Sequence, residues 1–169
     1  MSVSAQYIVK WLGLMPLILS SGGIIYGLTT LNPLITTAAV GIVYCDVLTQ
    51  ILKRTSYNIF GNKKFVMRPK EAQNCSYLGV EPYHFNPLGM PSGHALSISF
   101  FATFMILSIK YKNALHNSIK NILFILLAVA GMWQRVYVKC HTTFQVICGS
   151  IIGITLGVVT NRIYKNHIC

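Results

Sequence analysis

Five apolar runs separated by polar connectors constrain this chain more than any other feature of its sequence. They cover residues 11–30, 34–52, 93–109, 121–138 and 142–160. Each approaches the roughly 20 residues a helix needs to cross a hydrocarbon layer, where every backbone N–H and C=O must find its partner within the protein. The pattern predicts an all-α fold: a polytopic transmembrane helical bundle of about five spans, forming one integral-membrane domain over residues 1–169. Composition agrees, because 53% of the residues are apolar and only 10% are charged, whereas a soluble domain carries about a quarter charged residues. Lys10 precedes the first run, and Pro16 and the small residues at 20–23 interrupt it, a pattern shared with signal peptides. The apolar character continues through Ile24, Ile25 and Leu28 without a clear cleavage site, so a retained span is expected. Residues 31–33 read as a tight turn, residues 53–89 as a long polar loop, and residues 110–120 as a polar link.

Fourteen Lys and Arg residues oppose three acids, Asp46, Glu71 and Glu81, for a formal charge of +11. That balance suits an anionic partner such as a phosphate ester or the headgroups of the bilayer itself. No nucleic acid is expected, since the cations flank apolar spans and form neither a stripe nor a recognisable binding module. Five spans place the N-terminus, the 53–89 loop and the connector at 135–141 on one face. Nine cations fall on that face (Lys10, Lys53, Arg54, Lys63, Lys64, Arg68, Lys70, Arg135 and Lys139) and five on the other. By count alone the first face is cytoplasmic, but a ligand site can itself hold several of the nine there, so orientation stays open.

Asp46 interrupts the second span and is expected to point into the bundle, as partner to a site arginine, tied locally to Gln50, or as a protonated acid in a helix contact. The five cysteines, Cys45, Cys75, Cys140, Cys148 and Cys169, are odd in number and lack C-x-x-C spacing, which indicates neither a disulfide framework nor a zinc site. Cys75 and Cys140 share a face and would pair in an oxidising lumen, but free thiols are the expectation.

Three polar clusters lie on that same face: Arg68-Pro69, Pro91-Ser92-Gly93-His94, and the stretch Gln134 to Gln145 that holds Arg135 and His141. Taken singly, each has a plainer reading as an interfacial anchor or a helix cap. Together they point to phosphate chemistry. Arg68 and Arg135 offer bidentate forks for phosphate oxygens. Helix starts at Ser92 and near His141 add backbone N–H donors, and Gly93 allows a close backbone approach. Two histidines then divide the work, His141 attacking phosphorus while His94 protonates the leaving oxygen. Gln145, one helical turn beyond His141, orients the imidazole. No carboxylate cluster or H-x-x-x-H pair is present, so no metal and no cofactor is expected. His84, His116 and His167 lack such company and read as ordinary loop residues; Asn74 and Asn86 fall within the long polar loop.

These residues resemble the signature of the type 2 phosphatidic acid phosphatase superfamily: K-x6-R-P, then P-S-G-H, then S-R-x5-H-x3-D. Arg68-Pro69 matches the end of the first part, Pro91 to His94 the whole of the second, and Arg135 with His141 the third at the right spacing. The resemblance implies phosphate binding by Arg68, Ser92, Gly93 and Arg135, general acid catalysis by His94, and a phosphohistidine on His141. Three positions depart from the signature. Gly61 stands where the lysine should fall, leaving Lys63 or Lys64 to substitute; Gln134 replaces the serine; Gln145 replaces the aspartate. The glutamine, together with Arg135-Val136-Tyr137 and His141-Thr142, is similar to the dolichyl diphosphatase branch.

The function so implied is a metal-independent membrane phosphatase acting on an isoprenoid diphosphate or lipid phosphate, in the endoplasmic reticulum or another endomembrane. Two alternatives stand beside it. One is a phosphatidic acid or sphingoid phosphate phosphatase, or a headgroup transferase. The other is a degenerate membrane scaffold or lipid binder.

Overall fold

The computed structural model describes residues 3–72, 75, 87–110 and 113–167. Asn74, Glu81, His84, Asn86 and Cys169, named above, lie outside them. Among the described residues the chain forms five helices, α1 (Val3–Thr29), α2 (Pro33–Phe60), α3 (Gly93–Ser108), α4 (Ala114–Tyr137) and α5 (Thr143–His167). Four are long and apolar enough to cross a membrane, and α3 is the shorter one. Its 16 residues rise roughly 24 Å. The other helices surround it, and ten of its residues between His94 and Met105 are buried. Large apolar side chains on those other helices, such as Ile25, Leu126 and Ile151, are instead exposed, as expected where lipid rather than water is the solvent.

The helix boundaries follow local chemistry. Between α1 and α2, Leu31 takes a positive φ of 52°, and Asn32 Oδ1 accepts from the N–H groups of Leu34 and Ile35 at 3.1 and 3.3 Å. Pro33 then opens α2, the position at which its missing N–H is harmless. Four boundaries lie beyond the apolar runs: α1 begins at Val3 rather than 11 and α5 continues to His167 rather than 160, and two others bear on the polar segments. The helix α2 runs on through Phe60, so the first eight residues assigned to the polar loop are helical. Likewise α4 starts at Ala114 rather than near 121, capped by Asn113, whose Oδ1 accepts from Leu115 N–H at 2.8 Å. Lys120, read as part of a polar link, is buried and donates to the carbonyls of Ile106 and Ile109, where α3 runs out of internal donors.

Close packing of α3 on α5 sets the architecture. Gly149, Gly153 and Gly157 recur every fourth residue along one face of α5. A Cβ there would stand 2.4 Å from Ser92 O, 2.2 Å from Leu96 O and 2.9 Å from Phe100 O, respectively. The two backbones are therefore in direct contact, as small-residue stripes permit between membrane helices. The register makes α3 and α5 parallel, running from Ser92 N–H on Gln145 O at 3.0 Å to Asn161 Nδ2 on Ser108 Oγ at 2.7 Å. On the opposite side of α3, Gly41 makes room for the Phe100 ring. Phe100 and Phe104 stack with centroids 6.0 Å apart, and Tyr164 packs edge-on against Phe104.

Replacing Gly153 by Val pushes a side chain into the α3 backbone, and overpacking of this kind removes about 1–3 kcal/mol or more. Thermal unfolding in detergent is expected to show a large loss for Gly153→Val. Gly22→Ala, where a Cβ meets nothing within 4 Å, should leave the midpoint unchanged or slightly raised.

Candidate active site

The parallel register brings the start of α3 beside the α4–α5 connector, and the loop after α2 folds over both. An isolated bridge joins Met67 to Leu88, with Arg68 N–H donating to Pro87 O at 2.8 Å and Gly89 N–H to Val66 O at 2.8 Å. Val66 is fully buried beneath it. Arg68 thus projects from an anchored segment, not from a loose one.

Arg68, Gly93, His94, Arg135 and His141, five of the residues expected from sequence, line one cavity of about 220 Å³. Enclosed sites for whole drug-sized ligands run to roughly 300–1,000 Å³, so this one fits a headgroup whose remainder stays outside. Ser92 sits just behind as the N-cap of α3, its Oγ accepting from Ala95 N–H at 3.5 Å. The lysines fall elsewhere than expected. Lys63 and Lys64 are exposed, and Lys64 borders a neighbouring cavity of about 670 Å³ that shares Arg68, with Lys70 and Thr142.

The lysine at the cavity is Lys53, only 5% exposed, on the part of α2 beyond the apolar run. With Asp46, Thr49 and Gln50 it forms a polar stripe at i, i+3, i+4 and i+7, one face of a helix. That spacing is legible in sequence once α2 is allowed to continue past residue 52. Asp46 does point inward, and it accepts from Ser97 Oγ at 3.1 Å.

The histidines are held in defined tautomers. His141 Nδ1 lies 3.0 Å from Gly89 O and 3.2 Å from Gln145 Oε1. Both neighbours are acceptors, so the proton resides on Nδ1 and the lone pair on Nε2. His94 Nε2 lies 2.6 Å from Gly13 O, also an acceptor, which leaves Nδ1 to exchange a proton. Gln134 Nε2 donates to Val9 O, one turn earlier on the same helix, at 3.1 Å.

Gln145 is fully buried and uses its whole amide. Besides His141, its Oε1 accepts from Thr142 N–H at 3.1 Å, and its Nε2 donates to Phe65 O at 3.0 Å and Met67 O at 2.8 Å. A carboxylate here would orient the ring but repel both carbonyls. The amide joins the Arg68 segment to the His141 ring.

A covalent link reinforces that junction. Cys75 and Cys140 form a disulfide with Cα atoms 5.5 Å apart, so the expectation of free thiols fails for this pair. Their shared face had left the pairing open, but no short-range spacing could indicate it, because the partners are 65 residues apart. Cys45 and Cys148 are free. Beside the disulfide, Lys139 pairs with Glu71 on the exposed surface.

Electrostatically the cavity is set for an anion. Lys53, Arg68 and Arg135 converge on it, and Asp46 is the one acid among its lining residues. Burial, followed by the charges of Arg68, Arg135 and Lys53, pushes His141 well below the ordinary histidine value. The ring is therefore neutral at physiological pH, the state in which Nε2 is nucleophilic.

A family model described as the PAP2 superfamily matches residues 30–169. Dolichyldiphosphatase 1 of Dictyostelium discoideum is 40% identical over 76 residues, 42% of this chain and 33% of that protein. Lipid phosphate phosphatase epsilon 2, chloroplastic, of Arabidopsis thaliana is 40% identical over 68 residues, 38% of this chain and 23% of that protein. The aligned part thus spans a third or less of these relatives' length. No solved structure matches the chain.

Gln145→Glu should take the donor from two part-buried carbonyls, Phe65 O and Met67 O, and lose about 1–3 kcal/mol, read as a lower denaturation midpoint. A second outcome follows from His141. Its folded-state value lies below the unfolded one, so the unfolded chain binds more protons as pH falls. The stability it contributes is complete above about pH 6.5 and is lost as pH drops towards the folded value. Unfolding midpoints measured across that range should slope less for His141→Leu than for the wild type.

Proposed function

Because the chain belongs to the PAP2 superfamily, we propose that it hydrolyses the phosphate of a membrane lipid, with an isoprenoid diphosphate as the favoured substrate. The observation that carries this reading is the convergence of Lys53, Arg68 and Arg135 with two histidines on one small cavity at the end of an apolar bundle. The lipid tail stays in the bilayer while the terminal phosphate enters among the cations. In the first step His141 Nε2 attacks phosphorus and the bond to the leaving oxygen breaks, while His94, entering as the imidazolium beside the bound phosphate with its Nε2–H on Gly13 O, gives that oxygen its Nδ1 proton. In the second step His94 takes a proton from water, which attacks the phosphohistidine, releasing inorganic phosphate and restoring the imidazole of His141. Lys53, Arg68, Arg135 and the N–H groups at the start of α3 stabilise charge on the equatorial oxygens.

Lys53 takes the role for which Lys63 and Lys64 were candidates, with Gly61 at the signature's own position. Its place in the cavity weakens the case for a degenerate scaffold, which rested partly on a missing lysine. The Dictyostelium relative is named a dolichyldiphosphatase, which favours a diphosphate and the endoplasmic reticulum. The Arabidopsis relative is named a lipid phosphate phosphatase, so phosphatidate belongs in the substrate panel.

Purified protein in excess EDTA is expected to release phosphate from a polyprenyl diphosphate faster than from the monophosphate or phosphatidate, with inhibition by orthovanadate. Lys53→Ala should lower kcat/KM by about 10²–10³-fold, as loss of one oxyanion-stabilising donor does, while Lys63→Ala and Lys64→Ala stay near wild type. Full activity in His141→Ala rules out the phosphohistidine.

A further inference from the structure

We propose that the Cys75–Cys140 disulfide is a positioning device for Arg135, so that the anion site is complete only on a face of the membrane exposed to an oxidising compartment. The inference rests on the phosphatase reading for what Arg135 binds. Its grounds are the two ends of that residue. At the tip, Arg135 Nη2 donates to Cys75 O at 2.9 Å. At the base, Arg135 O accepts from Cys140 N–H at 3.1 Å and from His141 N–H at 3.2 Å. One cystine therefore holds the guanidinium by the carbonyl of one half and the backbone by the N–H of the other. His141 follows Cys140 directly, and Cys75 itself lines the cavity.

The nearby Lys139–Glu71 pair has side chains 63% and 68% exposed, where ion pairs contribute little and salt screens them. Without the sulfur bridge no covalent bond ties the Cys75 carbonyl to the connector, and an arginine side chain has many rotamers to lose. A fixed carbonyl removes that freedom before the anion arrives, which is how preorganisation raises affinity. Cys140 is fully buried and Cys75 is 8% exposed, so the bridge is a built-in structural clip, not a surface thiol pair open to rapid exchange.

The compartment follows from the same bond. Structural disulfides persist in oxidising spaces and are rare where glutathione keeps thiols reduced. Cation counting does not oppose this. Three of the nine cations on the site's face, Lys53, Arg68 and Arg135, line the cavity. Setting them aside leaves six against five, too even to orient the chain.

The test compares wild type, Cys75→Ser/Cys140→Ser, Arg135→Lys and the combined variant, reading orthovanadate inhibition and the separate kcat and KM for polyprenyl diphosphate hydrolysis. Removing the disulfide should weaken vanadate inhibition about 10-fold and raise KM more than it lowers kcat, while the same removal in Arg135→Lys changes inhibition by less than about 3-fold, the non-additivity of a coupled pair. Equal weakening in both backgrounds marks a general staple and overturns the proposal, as does unchanged inhibition in the serine variant. Membranes quenched with N-ethylmaleimide should yield the Cys75–Cys140 cross-linked peptide by mass spectrometry, and recovery of both thiols alkylated also overturns it. If the serine variant does not fold, wild type reduced with a phosphine is measured instead, and loss of fold there too counts against positioning. A wild type that neither hydrolyses these lipids nor responds to vanadate defeats the phosphatase reading itself. Activity that ignores the disulfide defeats only this inference.

Discussion

Backbone contact between α3 and α5 is the constraint on which the rest of this structure depends. Three glycines spaced four apart on α5 remove the side chains that would hold the helices apart, and the helices then run parallel in a register that leaves little freedom. That register decides the chemistry. Ser92 N–H reaches Gln145 O, so the start of α3, with Gly93 and His94, lies against the start of α5, just beyond His141. Two imidazoles from sequence positions 47 residues apart come to face one cavity because two helices share a glycine seam.

Around that seam the polar groups are arranged so that few are left to move. The Gln145 amide contacts the His141 ring, the connector backbone and the segment leading to Arg68. A carboxylate at this position would give a histidine stronger electrostatic support but could not donate to the two carbonyls that hold the loop. The α1 helix contributes in the same manner from the other side, its Gly13 and Val9 carbonyls accepting from His94 and Gln134. Pro16 lies in the following turn of α1, where a missing N–H loosens the helical ladder. Lys53 and Arg135 are buried and Arg68 is half-buried beside the two imidazoles, and gathering three cations in one place is costly unless an anion accompanies them.

Much of this was legible without coordinates, and the failures share one cause. Apolar runs, the turn at Asn32-Pro33 and the cap at Ser92 are local signals, each set by residues a few positions apart. Arg68, Gly93, His94, Arg135 and His141, grouped by residue type and spacing, do come to line one cavity. Lys53 was missed because the helix was ended where its hydrophobicity ended. A helix that leaves the bilayer at a polar site continues as long as one face still has something to pack against, here the cavity wall of Asp46, Thr49 and Gln50. The same error displaced the start of α4, where Lys120 is polar in sequence but caps α3 in space.

By itself the sequence determined that this chain forms apolar helices and carries, on a single face, the arginines and histidines that line one cavity. Those properties depend on hydrophobicity, period and residue type, which act over one or two helical turns. Tertiary structure alone decided which lysine completes the cavity, that Gln145 serves the loop as well as the imidazole, and that Cys75 meets Cys140. Each of these pairs elements far apart along the chain, and their meeting is governed by the depth to which helices can approach, a property of the packed bundle and not of any one segment.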